Sequence, residues 1–100
     1  MNYLQVVVFV PVECEEILEN ELKKQDLVCL YFIRVRGYGC HPNYFSRNWF
    51  VQFVKFELII KEDRLDSIKY AVKSSCQVGS EDDGFISVTS LGDIQAIKNL

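Results

Sequence analysis

The sequence predicts an α+β domain in which a four-stranded antiparallel sheet carries two helices on one face. This prediction depends on three observations. Four segments are rich in β-branched and aromatic residues, at residues 3–10, 27–36, 52–61 and 85–90. Two segments have apolar residues at helical spacing, at residues 13–25 and 64–75. Their order along the chain is strand, helix, strand, strand, helix, strand, which is the split βαβ arrangement.

The first strand and the first helix have the clearest patterns. Residues 3–10 are almost uniformly apolar and end at Pro11, which is typical of a central strand covered on both faces or by a partner subunit. Glutamates at the start of the helix and lysines at its end suit the helix dipole. We expect its inward face to consist of Cys14, Ile17, Leu18 and Leu22.

Successive side chains of a strand point to opposite faces of the sheet, so the second and third strands each have two faces. In the second strand one face becomes basic at its far end, through Arg34 and Arg36. In the third strand one face is wholly apolar and consists of Val54, Phe56, Leu58 and Ile60. Asp63 is the expected N-cap of the second helix. The inward face of that helix is expected to consist of Leu65, Ile68, Ala71 and Val72.

These elements predict a ferredoxin-like βαββαβ fold that spans residues 1–100 as a single domain. Both helices lie on one face of the sheet, so the other face is left without cover. Its apolar residues would be exposed in a monomer, which favours an oligomer. The two middle strands are joined by a long loop at about residues 37–52, which is longer than a tight hairpin requires.

Composition limits the classes of function. The chain has 100 residues, a net charge of −3 and 49% hydrophobic residues, which argues against broad binding of nucleic acid. Arg34, Arg36 and Arg47 nevertheless place positive charge around the long loop. No apolar run reaches the length of a membrane span and the start has no signal-like segment, so we expect a cytoplasmic protein. The cysteines form no CxxC pair and are expected to be free thiols, with Cys14 and Cys29 in the core.

Two interpretations remain open for the chemistry of the long loop. The loop is either functional or a surface link between strands. Cys40 and His41 could begin a metal site with Cys76 or an acidic residue, or the histidine could bond locally beside a bystander thiol. A Cys-His nucleophile would also need an orienting group and an oxyanion site. Neither can be identified, so we expect no enzyme activity.

Other groups of residues near the loop ends also have two interpretations. The acidic residues 81–83 could bind a cation or form a solvated turn. Gly79 and Gly84 could let backbone amides approach an anion, or Gly84 could satisfy a turn that requires positive φ. Among the aromatic residues, Tyr44 and Phe45 lie nearer the middle of the long loop, with Arg47 beside them. If exposed they are expected contacts for a target protein, and if tucked in they hold the loop closed. The aromatic residues expected to anchor the loop or line an interface are Trp49, Phe50 and Phe53.

At these residues the chain resembles the PII family of signalling proteins, and more closely its PII-like branch. The resemblance covers nearly the whole chain and rests on the order of the elements and on several runs of sequence. VRGYG at residues 35–39 opens the long loop, HPNYFSRNW at residues 41–49 lies within it, and VKFE at residues 54–57 resumes the strand. The segment at residues 79–86 is similar to the family's second ligand loop, through Gly79, Asp83, Gly84 and Ile86.

The resemblance implies a homotrimer whose subunit interfaces hold small effectors, usually adenine nucleotides. It also implies that the long loop, the T-loop of the family, changes shape with the effector and docks onto a target, commonly a membrane transporter or a metabolic enzyme. A metal-responsive trimer and a purely structural module are the alternatives. The residues that we expect to line the inter-subunit cleft are Arg34, Arg36, Gly37, Gly39, His41, Asn43, Arg47, Gly79, Asp83, Gly84 and Lys98.

Several positions depart from the family pattern and bear on the effector. Cys40 stands where a basic residue follows the glycine pair, and Phe85 stands where a lysine follows Gly-Asp-Gly. Near the end, Ala96 and Lys98 stand in place of two arginines. Because phosphate binding depends on such cations, we expect ATP to bind weakly or not at all, and any adenine ligand to carry fewer phosphates. The loop also lacks the segment whose tyrosine is modified in some members, so no modification is expected at Tyr44.

Overall fold

The computed structural model describes residues 2–37, 51–76 and 84–100, with the backbone alone described at Val51. Within these ranges the strands and helices alternate as the sequence predicts. They are β1 (Tyr3–Pro11), α1 (Glu15–Lys23), β2 (Cys29–Gly37), β3 (Val51–Lys61), α2 (Leu65–Cys76) and β4 (Phe85–Leu91). Short 3-10 turns lie at Val12–Cys14, Glu62–Arg64 and Ile97–Asn99. The predicted order of four strands and two helices is confirmed.

The four strands form one antiparallel sheet in the order β2-β3-β1-β4. β1 pairs with both β3 and β4, so the predicted central position of the first strand is confirmed. Register places the ends of β1 and β2 beside the starts of β4 and β3, since Phe9 pairs with Phe85 and Gly37 pairs with Val51. We call this end of the sheet the loop end, because the connection from Gly37 to Val51 leaves from it.

The core lies between the sheet and the two helices. Successive side chains of a strand point to opposite faces, so every second residue of β1 and β3 is buried beneath the helices. The helices contribute their own buried side chains to the same cluster, and no charged residue is buried among the described residues. Its fully covered large members include Val6, Val8, Val10, Leu18, Leu22, Val54, Phe56, Leu58, Ile60 and Ile68.

Two residues that were expected in the core lie elsewhere. Ile17 is 56% exposed, although Leu18 and Leu22 of the same helix are fully buried. Neighbouring residues of an α-helix are about 100° apart around the axis, so a helix that turns Leu18 inward carries Ile17 to its rim. Cys29 is half-buried rather than buried, because it pairs with Ile59 on the sheet face that has no helices.

The expected N-cap of the second helix is wrong. Asp63 lies inside the 3-10 turn Glu62–Arg64, and the residue that precedes this turn, Lys61, makes no side-chain capping bond. Instead, the Asp63 carboxylate lies 3.9 Å from the guanidinium of Arg64. Arg64 also lies 3.4 Å from the carboxylate of Asp26, which precedes β2. The helix therefore begins from a 3-10 turn with acidic residues in it, rather than from a capped first turn.

The opposite sheet face carries no helix, and we call it the open face. Its apolar side chains in the central strands are half-buried by their neighbours, while Tyr31 and Ile33 on β2 and Phe85 on β4 are exposed. Large uncovered apolar patches are characteristic of interaction surfaces. Neither of the helices that the structure describes is long and apolar enough to cross a membrane.

Candidate functional site

The two glycine turns that the sequence singles out lie at the same end of the sheet. Gly37 ends β2, and Gly84 directly precedes β4, so both lie at the loop end. However, β2 and β4 are the two outer strands of the sheet. Three strand spacings of about 4.8 Å put the two turns roughly 14 Å apart within one protomer. A site that uses both turns at close range therefore needs two copies of the chain.

Gly84 is required by the backbone at the start of β4. Its φ of 105° lies in a region of backbone conformation that residues other than glycine rarely adopt. A Cβ atom at this position would also lie 1.7 Å from the carbonyl oxygen of Phe9. The turn that requires positive φ, one of the two interpretations of Gly84, is therefore present. By contrast, a Cβ atom at Gly37 would meet nothing within 4 Å.

Arg34 is held by a carboxylate of the first helix. Its Nε and Nη2 atoms donate hydrogen bonds of 2.9 Å and 2.9 Å to the two oxygens of Glu15, in the bidentate geometry that suits a guanidinium. These bonds hold the pKa of the Glu15 carboxyl below its usual value and raise the pKa of Arg34. An anionic ligand that used Arg34 would have to displace Glu15. Arg36 is exposed two residues further along β2, on the same side of the strand.

Lys98 belongs to a segment that starts from the far end of the sheet. β4 runs away from the loop end, and its last residue, Leu91, pairs with Tyr3 at the start of β1. The exposed 3-10 turn Ile97–Asn99, which contains Lys98, follows this far end. The chain thus enters the Lys98 segment at the end of the sheet opposite to Gly84.

A cleft of about 290 Å³ lies beside Gly84, between the end of α2 and the start of β4. The site residues deduced from the sequence did not include Lys73, which is the charged residue among the described residues that line the cleft. Helical spacing alone does not reveal this cleft, because β4 is remote in sequence from β1. The lining residues are Val8, Phe9, Val10, Val72, Lys73, Cys76, Gly84, Phe85 and Ile86.

Phe85, which stands where the PII family has a lysine, packs against another aromatic ring. The rings of Phe85 and Phe9 are stacked, with centroids 4.9 Å apart and an angle of 17° between their planes. Phe85 remains 45% exposed. The position next to Gly84 therefore offers an aromatic surface to a ligand and no positive charge.

A polar cluster lies on the open face and joins β2 to β3. The Glu57 carboxylate is 2.8 Å from the Lys55 ammonium through Oε1, and its Oε2 accepts a hydrogen bond from the Tyr31 hydroxyl. The bonds from Lys55 and Tyr31 lower the pKa of Glu57, and the bond to Glu57 raises the pKa of Tyr31. The Glu57 carboxylate is therefore bonded through both of its oxygens.

The remaining predicted site residues lie outside the described ranges. They include the metal alternative formed by Cys40 and His41, so that alternative stays a prediction. Within residues 2–37, 51–76 and 84–100, no three histidine, cysteine, aspartate or glutamate residues are grouped as metal ligands would be. The other predicted residues outside these ranges are Gly39, Asn43, Tyr44, Phe45, Arg47, Gly79 and Asp83.

Comparison with known proteins identifies the fold through structure alone. No model of a protein family and no curated protein matches the sequence. Among solved structures, Arabidopsis thaliana PII bound to citrate has a TM-score of 0.77 at 23% identity, over 97% of this chain and 84% of that chain. The B. subtilis GlnK-ATP complex has a TM-score of 0.72 at 23% identity, over 90% of this chain and 82% of that chain.

A second structure of B. subtilis GlnK is similar, with a TM-score of 0.71 at 21% identity over 91% of this chain and 86% of that chain. The aligned regions include most of both chains in each case. The overall fold thus recurs in proteins that share under a quarter of their residues with this chain. The chain has the fold of the PII proteins.

Proposed function

We propose that this chain is a PII-like regulatory protein that senses a small effector between subunits and controls a target protein through its long loop. The observation that carries the proposal is the arrangement at the loop end of the sheet. The long loop leaves from Gly37 and returns at Val51, at the same end as Gly84 and the cleft beside it. In an assembly that brings Gly84 of one copy beside Gly37 of another, an effector bound in this cleft would contact the base of the neighbouring copy's loop and bias its conformation.

The proposal includes assembly as a homotrimer. Gly37 and Gly84 are on opposite outer strands, so one protomer cannot bring its own two turns together around a ligand. A subunit interface would bring one turn from each of two copies. The apolar residues that are exposed on the open face support the same conclusion, because association would remove them from water.

The proposed effector is an adenine ligand with few phosphates. B. subtilis GlnK, which shares this fold, forms a complex with ATP. This chain has fewer cations that are free to bind phosphate. Phe85 stands where the family has a lysine, and Arg34 already binds Glu15 through two hydrogen bonds. Each lost charge-assisted contact removes about 1.5 to 3 kcal/mol, and about 1.4 kcal/mol corresponds to a tenfold change in affinity.

Titration calorimetry with ATP, ADP and AMP, each with and without magnesium, tests the effector proposal. We expect ATP to bind more weakly than AMP in the wild type. Phe85→Lys should strengthen ATP binding by about tenfold to a hundredfold, since one charge-assisted contact is added. Phe85→Met is the matched control, because it removes the aromatic ring without adding charge. Submicromolar ATP binding by the wild type without metal would contradict the proposal, as would no gain in Phe85→Lys.

The target is proposed to be another protein, with a membrane transporter as the leading candidate and the cytoplasm as the place of action. Tyr44, Phe45 and Arg47 are the proposed contact residues on the long loop. The proposal assigns no catalytic step to the chain. Affinity purification with a Tyr44→Ala/Phe45→Ala variant beside the wild type checks the contact residues, since the variant should lose a partner that the wild type retains.

A further inference from the structure

We infer that Lys73 selects the charge of the effector by binding a single anionic group at the cleft between α2 and β4. This inference rests on the proposed function, and it names the cation that holds the phosphate of an adenine ligand there. Three properties of the described residues carry it: the chemistry of the residues that line the cleft, the absence of Lys73 from the ion pairs, and the volume of the cleft.

The cleft offers one positive charge between walls that are otherwise mostly apolar. Its inner surface is formed by Val8 and Val10 of β1, which are fully buried beneath the helices. Val72 and Ile86 add apolar side chains from α2 and β4. No acidic residue is among the described residues that line the cleft, and Lys73 is the charged one. Small-molecule sites are typically apolar with a few polar groups that orient the ligand, so this cleft suits an apolar ligand with one anionic group.

Lys73 is available to an anion because the carboxylates of the described residues do not bind it. The side chain is exposed in the last turn of α2. Lys73 takes part in none of the ion pairs that join the described residues. By contrast, Arg34 binds Glu15 and Lys55 binds Glu57. A ligand at Lys73 therefore displaces no carboxylate of the described part of the chain.

The volume of the cleft limits how much of a nucleotide it can hold. Ligand pockets commonly measure about 300 to 1,000 Å³, so a cleft of about 290 Å³ lies at the lower end of that range. One ammonium group can neutralise one phosphate, while two further phosphates would have no positive partner among the described residues that line the cleft. AMP therefore matches the cleft in its size, its apolar ring and its single phosphate.

Lys73→Met tests this role without removing the apolar walls of the cleft. Methionine has a helix propensity close to that of lysine but carries no charge. We expect AMP binding, measured by titration calorimetry, to weaken by about tenfold or more, because a charge-assisted contact is lost. Adenosine carries no phosphate and should bind the variant and the wild type equally. Lys73→Arg should retain the affinity for AMP, since it keeps the positive charge.

Lys69→Met is the matched control, because it changes the net charge by the same amount one helical turn away. Lys69 is exposed on α2 and is not among the residues that line the cleft. This variant should bind AMP as the wild type does. A lysine in the last turn of a helix also suits the helix dipole, so urea denaturation of Lys73→Met measures any loss of stability separately from the loss of binding.

The thiol of Cys76 reports whether AMP lies in the cleft. Cys76 lines the cleft three residues after Lys73, whereas Cys14 is buried in the core and does not line it. Alkylation with iodoacetamide, followed by mass spectrometry, measures the reaction of each thiol. We expect AMP to slow the alkylation of Cys76 more than that of Cys14. A ligand in the cleft covers the Cys76 thiol, while general stabilisation of the fold would protect both.

Four outcomes would count against Lys73. Equal AMP affinity in Lys73→Met and the wild type would overturn its role while leaving the proposed effector intact. An equal loss of affinity in Lys69→Met would also overturn it, since it would indicate long-range attraction rather than contact. AMP binding that leaves the alkylation of Cys76 unchanged would place the ligand outside the cleft and refute the assignment. A wild type that binds neither AMP nor adenosine would refute both the role of Lys73 and the proposed effector.

Discussion

Gly84 limits the residue type at the point where the chain enters β4. Two independent restrictions apply there, a backbone φ of 105° and a carbonyl oxygen 1.7 Å from where a Cβ atom would stand. The carbonyl belongs to Phe9 of the central strand, so it cannot move without disturbing the pairing of β1 with β4. A substitution here is therefore expected to affect both the fold and the cleft beside it.

Gly84→Ala should lower the free energy of unfolding, while Gly92→Ala should leave it almost unchanged. An unfavourable backbone conformation costs about 1 to 3 kcal/mol, and the close contact with Phe9 adds to this cost. Gly92 is the matched control, because its φ is ordinary and a Cβ atom added there would meet nothing within 4 Å. Urea denaturation of both variants measures the difference. Equal stabilities would show that the β4 entry relaxes around a side chain.

The ion pair of Arg34 with Glu15 links the end of β2 to the start of α1. Two hydrogen bonds from the guanidinium lower the pKa of Glu15 from its ordinary value of 4.5. A carboxyl group whose folded-state pKa is lowered stabilises the fold at neutral pH, and this contribution is lost as the pH falls through the lowered pKa. The Arg34 side chain is exposed and the Glu15 side chain is half-buried, so salt should screen part of the effect.

Arg34→Met should return the pKa of Glu15 towards its ordinary value, because both donors are removed. NMR titration of the side-chain carboxyl signals measures this change directly. Glu57, on the opposite face of the sheet and bonded to Lys55, is the internal control and should titrate as in the wild type. A Glu15 pKa that is the same in the variant and the wild type would show that the pair does not persist in solution.

At the scale of elements, α1 is held by a narrow inward stripe. Leu18 and Leu22 are fully buried. Ile17, the residue before Leu18, is 56% exposed. Burial of whole leucine side chains stabilises the docked helix far more than the exposed ion pairs on its outer face, such as Lys23 with Glu19. The helix is therefore fixed on the sheet by its apolar side chains.

Leu18→Ala should lower the free energy of unfolding by about 2 to 5 kcal/mol, because it leaves a cavity beneath the helix. Ile17→Ala should lower it by about 0.5 kcal/mol or less, since the side chain is already in contact with water. The two positions are adjacent on one helix, so helix propensity affects both similarly. Urea denaturation monitored by circular dichroism compares them. A large loss in Ile17→Ala would indicate that a partner subunit covers this side chain.

At the scale of the whole molecule, one protomer keeps its two glycine turns apart. The strand order places Gly37 and Gly84 at opposite edges of the loop end, and the tail that carries Lys98 starts from the far end. Exposed apolar residues lie along the same two edges. Both observations agree with the homotrimer proposed above.

We expect the purified protein to have the mass of about three chains of 11.6 kDa at micromolar concentration. Light scattering coupled to size-exclusion chromatography measures this mass independently of the shape of the protein. Removal of the exposed apolar edges from water is the physical reason for association. A stable monomer or a dimer at this concentration would contradict the proposed trimer.

The amino-acid sequence alone was enough to predict the order of the elements, the apolar face of β3 and most of the buried residues of the two helices. It placed Ile17 inside wrongly and did not predict that Cys76 is buried. Each correct prediction depends on local periodicity, because a strand repeats every two residues and a helix every 3.6. The sequence also singled out Gly84, since glycine is the residue that positive φ requires. The family resemblance carried by the loop runs led to the fold that the solved structures share.

Which distant residues meet became clear only in the folded chain. The fold places Glu15 against Arg34, which the sequence had offered as a ligand-binding cation, and it stacks Phe85 on Phe9. It also brings Lys73 to the cleft beside Gly84 and sets the two glycine turns at opposite edges. These contacts join residues far apart in the chain, and strand order and register set them. Local periodicity contains neither, because the same alternation fits any order of strands in the sheet.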